Sequence, residues 1–285
     1  MKSKNITLRS FSESDMKSFE AEVKVGLIAT VNGEGLPHLT LISTIQASKP
    51  TEIIWGQFTE GLSKFNITRN PKSSFLIMTL DKNFWRGKTT FTHTERSGRE
   101  FDIFNNIPMF RYNAYFGIHT VYYMDLIEQY GIEHLPVGNI LQAWAKTAIA
   151  KTLSLTKTRE TVMNLWTRQL INKMTNLKFL SYIGEDGYPV IIPVIQAQTF
   201  GNDHVIFSIS AFGNELKTIP PKTTAAIFCM SFDMEDVLLR GTFEGIGRVG
   251  GFQCGRISVN WVYNSMPPNP GQIYPETNIE TVTTF

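Results

Sequence analysis

One spelling occurs twice in this chain. Ile28-Ala-Thr-Val-Asn-Gly-Glu-Gly-Leu-Pro37 aligns with Leu180-Ser-Tyr-Ile-Gly-Glu-Asp-Gly-Tyr-Pro189. Each reads as an apolar strand, an acidic glycine-containing turn, and a proline that opens a return strand. More matches follow in the same order: Glu52–Trp55 with His204–Phe207, Phe75–Thr79 with Ala226–Met230, and Arg86-Gly87 with Arg240-Gly241. Ordered repetition of β signals at similar spacing calls for two copies of one small β-barrel.

Helical periodicity separates the copies. Ile140, Leu141, Trp144 and Ala148 share one helical face, and Val162, Leu165, Trp166 and Leu170 share another, with no glycine or proline inside either run. These segments are predicted to bridge the barrels. The chain divides on this reading into 1–132, a bridge at 133–176, a second barrel at 177–263 and a tail at 264–285. Within the first part, residues 11–24 form an amphipathic helix with Phe11, Met16 and Phe19 inward and Ser12 or Ser14 as cap. Strands are predicted over 26–31, 37–45, 53–55, 74–80, 85–94 and 115–126, with 96–106 a polar loop holding one helical turn.

The stretch from Ile53 to Leu80 is where chemistry is concentrated. A short apolar strand breaks at Gly56 and passes through a turn with Thr59 and Ser63. A basic helix carrying Lys64 and Arg69 follows, closed by Asn70-Pro71. A helix N-terminus offers unpaired N–H groups and partial positive charge to an anion, so strand end, hydroxyls and lysine form a candidate phosphate cradle. The bland reading of the same residues is a solvated basic helix start. The second copy has Glu215 at the comparable place and Pro220-Pro221 cutting its helix short, so it reads as degenerate.

The order of these pieces resembles the pyridoxamine 5′-phosphate oxidase-like proteins, which are FMN-binding split β-barrels. The likeness covers residues 26–94, and more weakly 177–245; Asn66-Ile67-x-x-Asn70-Pro71 is its most specific part. It implies a mainly β (α+β) fold of two tandem split β-barrels joined by a helical bridge, the first binding FMN. By position it implicates Thr40, Leu41, Ile42 and Ser43 on the second strand and Gln57 after the third. Thr59, Ser63 and Lys64 would meet the phosphate, Lys82 or Asn83 the isoalloxazine edge, and Arg86 the flavin or a substrate. Arg86, echoed by Arg240, has a structural alternative as a brace of the barrel end. The resemblance implies a flavin-dependent oxidoreductase acting on a small-molecule substrate. A deazaflavin or haem in the same barrel, or a non-catalytic flavin-binding module, are the alternatives. A homodimer follows weakly from one competent and one degenerate copy. The chain departs from the oxidase itself: Thr40 and Ile45 stand where that enzyme has basic residues on its second strand, its turn lysine falls one place before Lys64, and the 264–285 tail lacks its basic signature. These departures argue against vitamin B6 oxidation and leave flavin binding.

The remaining motifs exclude more than they propose. A net charge of +2 is too small for nucleic acid or an anionic membrane surface. No apolar run approaches a membrane span, and a cytoplasmic protein is expected. Cys229 and Cys254 are far apart and read as buried thiols, and none of the five histidines sits at metal-ligand spacing. His38 reads as a surface residue. Arg111, Tyr112 and Tyr115 form a polar aromatic cluster suited to an anionic, flat substrate or to a phosphate in a partner subunit, and equally to a loop anchored by Arg111 to a carboxylate such as Asp102. Gly245-Ile-Gly-Arg-Val-Gly250 spells a dinucleotide fingerprint, but no helix is predicted after it, so a bend between strands is expected.

Overall fold

The computed structural model describes residues 7–57, 61–107, 117–154, 160–264 and 271–276. These form two compact units, one of residues 1–136 with 181–191, the other of 137–180 with 192–285. Thr59, Arg111, Tyr112 and Tyr115 lie outside the described residues.

The first part of the chain runs α1 (Glu13–Phe19), β1 (Lys24–Val31), β2 (Pro37–Leu41), β3 (Gln46–Lys49), β4 (Glu52–Gln57), α2 (Leu62–Arg69), β5 (Lys72–Thr79), β6 (Asn83–Glu95), α3 (Arg99–Asn105), β7 (Thr120–Gln129) and β8 (Glu133–His134). Its strands are ordered β2-β1-β5-β6-β7-β4-β3, with β8 pairing β6. The second part runs α4 (Val137–Thr152), α5 (Leu165–Asn172), β9 (Leu177–Ile183), β10 (Pro189–Pro193), β11 (Gln198–Phe200), β12 (His204–Ser208), α6 (Gly213–Leu216), β13 (Thr224–Met230), β14 (Asp236–Val249), β15 (Phe252–Asn264) and β16 (Gly271–Tyr274). Its sheet is ordered β10-β9-β13-β14-β15-β12-β11, with β16 pairing β15. The two orders are identical strand for strand, so the repeat in the sequence is a repeat of topology. The fold is mainly β, two tandem split barrels.

The core of the first unit follows from alternation. Ile28, Ile53, Trp55, Phe75, Ile77, Trp85, Tyr122 and Met124 point inward from their strands and pack with Phe11, with Phe19 of α1 and with Ile67 of α2. Each such side chain contributes roughly 1.5–3 kcal/mol by leaving water. α1 begins with a capping box: the Ser12 hydroxyl accepts from the Asp15 N–H at 3.2 Å, and Asp15 accepts from the Ser12 N–H at 3.0 Å. Asp15 also accepts from the Trp85 indole at 2.8 Å, fixing the helix over the barrel mouth.

Gly87 and Gly241 are equivalent, and one steric demand explains both. A Cβ on Gly87 would overlap the Glu128 carbonyl oxygen, and one on Gly241 would overlap that of Ser258. Each stands beside a register shift between the long neighbouring strands, β6 with β7 and β14 with β15, where the backbones close in.

Three expectations are refined. Residues 99–105 are a helix, not a loop with one turn, because Phe104, with Phe101 and Ile107 beside it, packs on Ile54, Ile118, Val121 and Tyr123. The helices α4 and α5, expected as a bridge, group with the second unit. There Ile140, Ala143, Thr147 and Ala150 of α4 are buried, and Ala150 packs on Phe200, Ile206, Val249 and Cys254. The strand expected over 115–126 is β7, which runs from Thr120 to Gln129, with the described residues 117–119 outside it. The glycine-rich spelling at 245–250 lies in β14 and in the turn to β15, where Gly250 and Gly251 have φ of 51° and 86°. No helix opens there, as anticipated.

Candidate functional site

In the first unit, β4 ends at Gln57 and α2 begins at Leu62. Gln57 is buried, and its Oε1 accepts from the Tyr122 hydroxyl at 2.9 Å. The Tyr122 ring is stacked 4.0 Å from that of Trp55, which holds the pair rigid. Helix α2 is anchored along its C-terminal half by the motif that stood out in the sequence. Asn66 Nδ2 donates to Thr30 Oγ1 on β1 at 3.3 Å, Ile67 enters the core, the Asn70 N–H caps onto the Asn66 carbonyl, and Asn70 Oδ1 accepts from the Lys72 N–H. The motif therefore aims the helix.

What it positions is the N-terminus of α2, a candidate place for an anion. Gly61 precedes the helix and offers no side chain to cap it, and the first turn holds no acidic residue. Ser63 is fully buried, and its hydroxyl has no hydrogen-bond partner among the described residues. A buried hydroxyl left unmatched costs about 1–3 kcal/mol, so such atoms usually serve a ligand or a water. Lys64 is also buried, at 8% exposure, and its ammonium returns to 3.5 Å from the point a Gly61 Cβ would occupy. That places a cation at the end of the helix where the peptide dipoles already concentrate positive charge.

The other predicted residues fall in two groups. Thr40 and Leu41 end β2, half-buried, and Ile42 and Ser43 form the turn beyond. α2 packs against β1 and β2, and Thr40 on β2 lies opposite Ile28 of β1. Lys82 and Asn83 stand instead at the turn between β5 and β6, where Lys82 has φ 65°. Asn66 ties α2 to Thr30, which pairs with Ser73 near the start of β5, whereas Lys82 and Asn83 stand beyond the other end of that strand. The structure does not gather them with Lys64. Arg86 is bound into its own unit: Nε and Nη2 grip both oxygens of Glu133 at 2.7 and 2.8 Å, and Nη1 donates to the Ile191 carbonyl at 2.8 Å. A bidentate pair at 6% exposure has the geometry of a brace.

Two residues near α2 escaped the sequence reading. His38, expected at the surface, is 2% exposed. It lies opposite Thr30 in the β1–β2 ladder, and its Nε2 is 3.2 Å from Thr40 Oγ1. Its position after Pro37 suggested a strand entrance; the cover supplied by α2 could not be read from that. Thr44 is the other. Its hydroxyl donates to the Gly56 carbonyl at 2.9 Å and accepts from the Gly56 N–H at 3.0 Å, closing the end of β4 just before the cradle.

Among solved structures, an FMN-binding protein from Syntrophomonas wolfei subsp. wolfei is 14% identical, covering 43% of this chain and 86% of its own, with a TM-score of 0.37. An F420 reductase is 15% identical, covering 42% and 98%, with a TM-score of 0.33. The General Stress Protein 26 from Bacillus anthracis str. Sterne is 14% identical, covering 43% and 97%, also at 0.33. No family model and no curated protein matches the sequence. The fold assignment rests on the strand order above.

Proposed function

We propose that the first unit binds FMN noncovalently, with its phosphate at the start of α2, and that the protein is a flavin-dependent oxidoreductase acting on a small molecule. One observation carries this reading: the buried Lys64 ammonium folded back to the N-terminus of α2, next to the unmatched, fully buried Ser63 hydroxyl. Lys64 would neutralise a phosphate, Ser63 would donate a hydrogen bond to it, and the first-turn N–H groups would complete its shell. Gln57, locked by Tyr122, would orient the polar part of the ligand beside the end of β4. The flavin, once bound, supplies hydride and electron transfer, while the chain supplies position and charge.

The purified protein tests this directly. Flavin absorption bands in the protein as isolated, or quenching of free FMN fluorescence on titration, support the reading. A colourless protein that leaves FMN fluorescence unchanged overturns it. Anaerobic bleaching by a nicotinamide donor followed by reoxidation supports the oxidoreductase; flavin bound without any cycling makes the protein a binding module. The wavelength of the bands separates FMN from deazaflavin and haem.

A further inference from the structure

The second copy lacks a helix comparable to α2, since α6 has only four residues. Yet the turn leaving β12, which corresponds to the turn leaving β4, is not without a cation. Lys146 reaches it from α4, donating from Nζ to Ser210 Oγ at 3.0 Å. Both residues belong to the second unit.

Hydrogen accounting at this turn gives a one-sided result. Ser210 Oγ accepts from Lys146 and also from Ser208 Oγ at 3.1 Å, so its own proton points elsewhere. Ser208 Oγ, in a residue 1% exposed, accepts from the Ser210 N–H at 3.3 Å. The Ser208 N–H is taken by Thr147 Oγ of α4 at 2.9 Å. Lys146 makes no ion pair within 4 Å among the described residues, and an ammonium has three protons. The uncommitted hydrogens here are therefore the Ser210 hydroxyl proton and ammonium protons, and no carboxylate among the described residues receives them. The unmatched acceptor nearby is Gln196 Oε1, whose amide nitrogen holds the Ser208 carbonyl; the ammonium and the Ser210 hydroxyl still have hydrogens for an oxyanion at this half-buried turn.

We propose that Lys146 and Ser210 form a second anion site, with Ser208 positioning Ser210, and that it takes a phosphate group, free or as a monoester. The site has kept its place in the barrel while its lysine comes from a different helix. It stands independently of flavin binding by the first unit.

The experiment is a titration of the full-length protein with inorganic phosphate at constant ionic strength, following the backbone amide resonances of Ser208 and Ser210. A parallel titration uses FMN as the monoester. Saturable shifts of these amides are expected with either anion. They should persist in Lys64→Met, persist in Lys146→Arg, and demand at least tenfold more anion in Lys146→Met. Should the Ser210 amide stay fixed with both anions, or move equally in Lys146→Met, the site does not exist and Lys146 only ties α4 to the barrel.

Discussion

Thr44 and Gln196 hold corresponding places in the two barrels, and each side chain reaches the main chain of the residue that ends or nearly ends the next strand but one. Thr44 satisfies both the N–H and the carbonyl of Gly56. Gln196 donates to the Ser208 carbonyl at 3.0 Å, while the Ser208 N–H goes to Thr147 of α4, and Gln196 Oε1 is left buried without a partner. The helix has taken over a bond that the barrel could make for itself.

This asymmetry has consequences for stability. Thr44→Val strands two buried backbone groups and is expected to cost about 2–4 kcal/mol, whereas Thr44→Ser keeps the hydroxyl. Thr147→Val should cost less, about 1 kcal/mol, because Gln196 Oε1 is a spare acceptor beside Ser208. Urea unfolding of the three variants checks the order. Equal losses in Thr44→Val and Thr147→Val would show that Gln196 does not take up the bond.

The paired glycines make a second case. Gly87→Ala and Gly241→Ala each drive a Cβ into a carbonyl oxygen on the neighbouring strand, and backbone cannot step aside as a side chain can. Each is expected to lose about 2 kcal/mol or more. Gly33→Ala, whose Cβ meets nothing within 4 Å, is the control and should change stability little. Thermal unfolding distinguishes them.

A buried lysine sets a pH dependence. Lys178 is fully buried, its Nζ donating to the carbonyls of Lys173 and Ile195 at 2.9 Å each, and burial lowers its pKa from 10.5 to about 8. Between those values the unfolded chain binds the proton more tightly than the folded one, so stability rises with pH across the window. Below about pH 8 the full penalty of charging the buried amine is present, up to roughly 3 kcal/mol. Burial also lowers the pKa of Lys24 to about 8 and adds in the same sense, while burial raises Cys229 from 9.0 to about 12 and Cys254 to about 11, opposing from about pH 9, and Tyr130, raised to about 12, opposes above pH 10. Lys178→Met should flatten the stability curve between pH 8 and 10. An unchanged slope in that variant would remove Lys178 as its source.

How much of this was legible in the sequence depended on range. The repeat was visible because its marks are local: a turn, a proline, an Arg-Gly pair whose glycine a close strand crossing demands. Ser63 and Lys64 were legible for the same reason, as neighbours at a helix start. His38 was misjudged because burial of a β2 residue depends on what packs over the strand, and α2, which packs on β1 and β2, comes later in the chain. Arg86 was recognised only as an alternative brace, since Glu133 and the Ile191 carbonyl stand well downstream. Nothing in the spelling joins Lys146 to Ser210; topology alone puts the two side by side. Lys82 and Asn83 were carried over by position along the chain, and an intervening strand separates them from the cradle.

The cradle of the first unit yields a prediction in which stability and affinity move in opposite directions. Ser63 keeps a buried hydroxyl with no partner in the protein alone, so Ser63→Ala removes a desolvated group and should leave the free protein as stable, or more stable by up to about 1 kcal/mol. If that hydroxyl donates to a bound phosphate, the same change should weaken FMN by about 1 kcal/mol, roughly fivefold. Lys64→Ala removes a charge-assisted bond and should weaken FMN by about 1.5–3 kcal/mol, or roughly 10- to 150-fold. Fluorescence titration with FMN, paired with urea unfolding of the unliganded protein, reads both quantities. Loss of stability in Ser63→Ala with unaltered FMN affinity would make the serine a packing residue and move the anion away from α2.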